Sequence, residues 1–191
     1  MNGYSILELT FVISLVATLS GVAAPQLMDS IDEYRAAGAA RYLSSRLQRI
    51  RLESINRSSN VALQVVQVQN GYSYAVYVDG NADGVKTRDI GNSTDPQFGP
   101  TERLPDNFPG VDFGVAPGLP PVESGTTAPG TDPIKLGTSN LLSFSPLGTS
   151  SSGSLYIRSR RGAQYVIRVL GETGRVRVLK FDPRARAWRP V

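Results

Sequence analysis

The sequence predicts an α+β protein: one long N-terminal helix, apolar at its start and amphipathic beyond, packed on an antiparallel, β-sandwich-like head. Three observations lead there. From Tyr4 to Ala24, 14 of 21 residues are apolar or aromatic and the one charge is Glu8. Past Pro25, Ala36, Ala40, Leu43, Leu47 and Ile50 recur at helical spacing. From Val61 onward, runs of β-branched and aromatic residues alternate with Gly, Asn and Thr turns.

At about 1.5 Å per residue the first apolar stretch is long enough to cross a hydrocarbon core of roughly 30 Å. Residues 4–28 read as a transmembrane or filament-core helix and residues 29–57 as its amphipathic continuation, giving a helix from about Ser5 to Asn56, roughly 75 Å long. Pro25 removes one backbone donor and predicts a kink near the end of the apolar stretch, with Gly21 close by. The face opposite the apolar stripe carries Asp32, Arg35, Arg41, Arg46, Arg49, Glu53 and Arg57 and reads as mostly solvated.

Residues 58–191 read as a β-rich head. Val61–Val68 and Tyr72–Val78 form a hairpin around Gly71; strands resume at Leu141–Ser145, Ser154–Ser159, Gln164–Leu170 and Arg175–Phe181, the last two joined through Gly171-Glu172-Thr173-Gly174. Between them, residues 96–133 hold nine of the 13 prolines and read as an exposed loop insertion with one short strand near Val111–Val115.

The 191 residues contain no Cys and no His, which excludes disulfides, thiolate nucleophiles, Cys-ligated metals and any Ser/His/Asp or Cys/His catalytic arrangement. No organised nucleophile–base spacing appears among the remaining Ser, Asp and Glu, and the chain reads as a non-enzyme without a required cofactor. The net charge of +4 conceals segregation: residues 158–191 carry ten basic and two acidic side chains, and the rest of the chain is acidic.

Glu8 is the feature a plain membrane anchor does not explain, because an ionised carboxylate in hydrocarbon is expensive and needs a partner. Gly3-Tyr4-Ser5-Ile6-Leu7-Glu8-Leu9 before an apolar helix resembles the class III signal of type IV pilins and pseudopilins. Leu142-Ser143-Phe144-Ser145-Pro146-Leu147-Gly148, Gly153-Ser154-Leu155-Tyr156-Ile157 and the turn through Thr173-Gly174-Arg175-Val176 resemble the GspH/FimT branch of that family. The resemblance implies residues 1–3 as a prepilin leader cut by prepilin peptidase between Gly3 and Tyr4, N-methylation of Tyr4, and Glu8 as the carboxylate that pairs with a neighbouring subunit's amine. It also implies a pilin fold, a single-pass location in the bacterial inner membrane with the head in the periplasm, and as partners other pseudopilins or pilins and the inner-membrane assembly platform. Around Pro25, helices of this family bend or partly melt in a filament. The Met-Asn-Gly leader lacks Lys and Arg, whereas family leaders are longer and basic.

Two further segments carry binding chemistry. Asp79, Asn81 and Asp83 with Gly84, followed by Asp89, open like a Ca²⁺ loop, but Ile90 stands where an EF-hand needs a bidentate Glu and no helix is predicted on either side. The alternative is a turn that caps its own backbone. Arg158, Arg160, Arg161, Arg175 and Arg177, extended by Arg184, Arg186 and Arg189 with Trp188 as a stacking platform, read either as a phosphate-backbone surface for DNA or as a solvated or subunit-contact face. Gly174-Arg175-Val176-Arg177 resembles the DNA-binding segment of FimT-type pilins. The two functions left standing are a minor pseudopilin of a type II secretion pseudopilus and a minor type IV pilin that takes up DNA.

Overall fold

In a computed structural model, which describes residues 5–123, 125, 127–137 and 139–191, helix α1 runs unbroken over Ile6–Arg57 with Pro25 inside it. Ser5 caps its start, the hydroxyl accepting from the Leu7 N–H at 3.3 Å. At the far end Ser58 adopts the left-handed conformation at φ 51°, and Ser58 and Ser59 donate back to Ile55 and Ser54, satisfying the last carbonyls.

The two halves of α1 live in different surroundings. Ile6, Leu7, Phe11, Ile13, Leu19 and Leu27 are all more than half exposed, whereas Ala36, Ala40, Leu43, Leu47 and Ile50 are buried, as the helical stripe predicts, with Ala39 buried beside them. The run Ala36-Ala37-Gly38-Ala39-Ala40 has no side chain long enough to hold a neighbour away, so Phe108 lies directly over Gly38.

The head follows in two antiparallel sheets. Strands β1 (Val61–Val68), β2 (Gly71–Val78) and β5 (Leu141–Phe144) form the first, in the order β2-β1-β5. Strands β3 (Val111–Phe113), β6 (Gly153–Ser159), β7 (Gln164–Leu170), β8 (Arg175–Asp182) and β9 (Ala187–Pro190) form the second in that order, with β4 (Ile134–Lys135) also paired to β6. Leu63, Leu142 and Phe144 from the first sheet meet Leu155, Ile157, Ile167 and Val169 from the second against α1 in one core. This is the α+β architecture the sequence predicts, with five of its strand starts matched to the residue (β1, β3, β5, β7, β8).

The Pro-rich segment departs from expectation. Rather than lying exposed, it supplies Leu104, Val111, Phe113 and Leu119 to the interior, forms the short helix α3 (Leu104–Asn107) and pairs the Glu102 backbone with Tyr74. Proline forbids a continuous ladder but leaves the apolar residues between prolines free to pack. A second short helix, α2 (Thr87–Gly91), follows the Asp79 loop where none is predicted. Strand β9 is also unforeseen, because Ala187–Pro190 shows no alternation; Trp188 holds it by packing on Phe181.

Candidate functional site

The apolar half of α1 is polar at few positions, and most of those are satisfied within the helix. Thr10, Ser14 and Thr18 donate to the carbonyls of Leu7, Thr10 and Ser14 at 2.8–3.0 Å, which hides their hydroxyls from an apolar environment. Glu8 is different: it sits in the first turn, exposed, with no hydrogen-bond or ion-pair partner among the described residues. A carboxylate near a helix N-terminus is favoured by the helix dipole, but that interaction leaves its charge unneutralised. Gly3 and Tyr4, which carry the predicted cleavage and methylation, lie outside the described residues. The helix holds an 18-residue window of mean hydropathy 2.0 and is long and apolar enough to cross a membrane.

The Asp79 loop closes on itself. Asp79 Oδ2 accepts from Gly84 N at 2.8 Å and Asn60 Nδ2 at 2.9 Å, and Oδ1 accepts from Asn81 N at 3.2 Å. Burial alone would raise this carboxyl; the donors Asn60, Gly84, Asn81 and Ala82 outweigh it and hold it below its ordinary value. Asn81, with its amide nitrogen turned inward, donates to Asp79 Oδ1 at 3.1 Å and Asp83 Oδ1 at 2.7 Å. Asp83 pairs with Lys86, and Asp89 is buried at the start of α2. Asp95, which the sequence reading passed over, is fully enclosed and accepts from Gly80 N and Lys86 N, both at 3.0 Å. Among the described residues no group of three or more Asp or Glu side chains could hold a metal ion. The arrangement caps backbone donors.

The basic residues divide into two groups. Arg160 and Arg161 occupy the β6–β7 turn, beside Asp29 and Asp32 near the emergence of α1, with Arg158 just before them on β6. Arg175 and Arg177 start β8 at the other end of the sheet, next to Gly174, which is pressed against Arg51 and the Gly148 carbonyl. A seven-residue strand of roughly 3.3 Å per residue separates the two ends. Gly174 stands at φ 60°, and a Cβ there would come within 2.4 Å of the Gly148 oxygen, so the turn requires this glycine for packing. Trp188 is no open platform: its ring is flanked by Tyr156 and Phe181, and its N–H donates to the Pro120 carbonyl at 3.0 Å.

Two further clasps were not visible in the sequence because their partners lie far apart in the chain. Glu102 accepts from Tyr42 Oη at 2.5 Å, Arg46 at 2.6 Å and Tyr74 Oη at 3.2 Å, so Arg46 belongs to a contact with the insertion and not to the solvated face. At the neck, Asp32 accepts from the Ser159 hydroxyl, Asp29 pairs with Arg161 at 2.6 Å and Glu33 pairs with Lys180.

Pilin-like protein PilA1 of Thermus thermophilus is 38% identical over 82 residues, covering 43% of this chain and 51% of PilA1, so the chain spans about half the length of this curated relative. The minor pseudopilin EpsH from the type 2 secretion system of Vibrio cholerae is similar in structure, with a TM-score of 0.47 and 14% identity over 76% of this chain and 97% of EpsH. The family model of the type II transport protein GspH matches residues 39–174, from the docked half of α1 through the β7–β8 turn, and the chain belongs to the GspH family.

Proposed function

We propose that the chain is a minor pseudopilin: a structural subunit that enters a type II secretion pseudopilus through the exposed half of α1 and is not itself a catalyst. The observation that carries this reading is the juxtaposition of Glu8, unpartnered among the described residues, with an apolar helix half whose described residues are all exposed. Two staggered subunits can neutralise Glu8 with a neighbour's N-terminal amine, and a buried charge pair then fixes their register. Prepilin peptidase cuts between Gly3 and Tyr4 and Tyr4 is methylated, as the class III signal implies. The helix sits in the inner membrane with the head in the periplasm until other pseudopilins and the assembly platform draw it into the filament. Family membership and the apolar helix support this location.

The test separates charge from helix capping. In membranes holding the other pseudopilins, Glu8→Gln keeps a side chain able to reach backbone donors but removes the charge. Both Glu8→Gln and Glu8→Ala are expected to be processed yet to lose cross-linking to neighbours; normal cross-linking in Glu8→Gln would remove the neutralisation role. Intact mass after peptidase treatment is expected to show loss of Met-Asn-Gly and gain of one methylene.

A second reading, a minor pilin that binds DNA, is favoured by Arg175 and Arg177, both exposed and free of ion pairs among the described residues. It rests on these two alone, since Arg158, Arg160 and Arg161 lie at the other end of the sheet. Salt-dependent gel shift that is lost in Arg175→Gln/Arg177→Gln would favour it over the secretion reading.

A further inference from the structure

The end of the head nearest the apolar half of α1 is built from two turns. Gly174 lies against Arg51, while Lys180 pairs with Glu33, so β8 runs back along α1 towards the apolar half. The β8–β9 turn, residues 183–186, continues past Lys180 in that direction, and the β6–β7 turn reaches the same end through Arg161 on Asp29 and Ser159 on Asp32. Glu33 follows Leu27 by six residues, about 9 Å along the helix, at the depth of the headgroup layer if the apolar half crosses a bilayer.

The charges at this end do not cancel. Three of the acidic side chains there are paired with cations, Asp29 with Arg161, Glu33 with Lys180 and Asp182 with Arg189, while Asp32 keeps its charge and accepts from the Ser159 hydroxyl and the Arg161 N–H. Arg35, Arg160, Arg184 and Arg186 remain, all exposed and without an ion-pair partner among the described residues. Arg35 and Arg160 line a cleft together with Met28, Ile31 and Asp32 of α1. The β8–β9 turn is held in shape by Asp182, whose Oδ1 accepts from Arg184 N and Ala185 N, so its arginines project from a fixed loop.

We propose that this end of the head is a lipid-docking surface, in which Arg35, Arg160, Arg184 and Arg186 bind the phosphate-bearing headgroups of the bilayer that holds α1. The inference rests on the membrane-anchored reading above. Docking would set the height and tilt of the head before assembly, and withdrawal into a filament would have to break it. Four arginines facing a screened anionic surface give attraction that fades with salt.

The experiment uses the full chain in nanodiscs of phosphatidylcholine alone or with roughly a third phosphatidylglycerol, read by amide hydrogen exchange. Expected is slower exchange, by about an order of magnitude, at residues 159–163 and 183–187 in the anionic discs. The effect should vanish at high salt and in Arg35→Gln/Arg160→Gln/Arg184→Gln/Arg186→Gln, with exchange in β1 and β2 unchanged as the check on folding. Arg175→Gln/Arg177→Gln, at the opposite end, should leave it intact. Equal exchange in both lipids, or equal loss in the Arg175/Arg177 variant, overturns the inference alone. Short duplex DNA that protects the same amides in neutral discs better than anionic lipid does also overturns it. A chain that enters neither disc overturns the anchored reading and this inference together.

Discussion

At the residue scale, two positions show how the head fixes its turns. Gly71 closes the β1–β2 hairpin at φ 108°, and a Cβ there would lie 1.9 Å from Asp112 Oδ2. Gly71→Ala therefore combines backbone strain with displacement of a half-buried carboxylate that accepts from the Phe113 N–H and is pushed up chiefly by its burial. We expect a loss of about 2–3 kcal/mol in denaturant unfolding of the detergent-solubilised chain. Adding Asp112→Ala should restore only part of that, because it removes the clash and not the positive φ. Asp79 acts with the opposite electrostatic sign. Its carboxyl titrates below the ordinary value when folded, so its contribution is complete above a pH of about 4 and is lost as pH falls through the folded value. Asp79→Ala should cost roughly 2–3 kcal/mol at neutral pH and flatten the acid limb of a stability–pH profile. A limb of unchanged slope would mean that Asp79 does not hold the loop.

At the scale of elements, the clasp on Glu102 decides how the Pro-rich insertion attaches to α1. Glu102→Ala strands the partly buried Arg46 guanidinium, whose Nε already lacks a partner, and removes the acceptor for two tyrosine hydroxyls. A loss of about 3 kcal/mol is expected, with faster amide exchange confined to residues 98–113; uniform acceleration across the head would show that the clasp stabilises the whole fold instead. Burial first, and Glu102 second, raise Tyr74 above its ordinary value. The unfolded chain then loses that proton at a pH of about 10 while the folded one keeps it, so stability falls as pH rises beyond that point, and Tyr74→Phe should reduce the slope. The long strands and the stripe on α1 were legible because period-2 and helical repeats report a buried face directly. The insertion's packing was not, beyond its one short strand: Leu104, Val111 and Phe113 are scattered between prolines, and they are buried in the shared core, Phe113 against the Tyr74 ring, by contacts with no local signature. Of the candidate sites, Glu8 stood out as the one charge in an apolar run. The division of the basic residues between two ends of the sheet was not legible, because charge counting along the chain cannot tell which end of a strand a residue occupies.

For the molecule as a whole, the division of α1 means that the head owes little to the apolar half. Among the described residues none from Ser5 to Ile31 is buried, and ties from that half to the head are made by Met28 and Asp29, the latter an exposed ion pair with Arg161. Exposed pairs of this kind are worth about 0–1 kcal/mol, and the whole core starts at Ala36. A chain beginning at Asp29 should therefore fold without detergent, keep the Asp32–Ser159 and Glu33–Lys180 contacts, and melt within roughly 3 °C of the full chain in matched conditions. Asp29 and Ser30 can cap the shortened helix, as Ser5 caps the natural one. The full chain, by contrast, should require detergent or lipid, since its apolar half has no cover of its own. Circular dichroism melts of the two chains check this: a truncated head that melts well below the full chain would show that residues 5–28 support the fold, and their exposure would then need a second role beyond membrane and filament contacts.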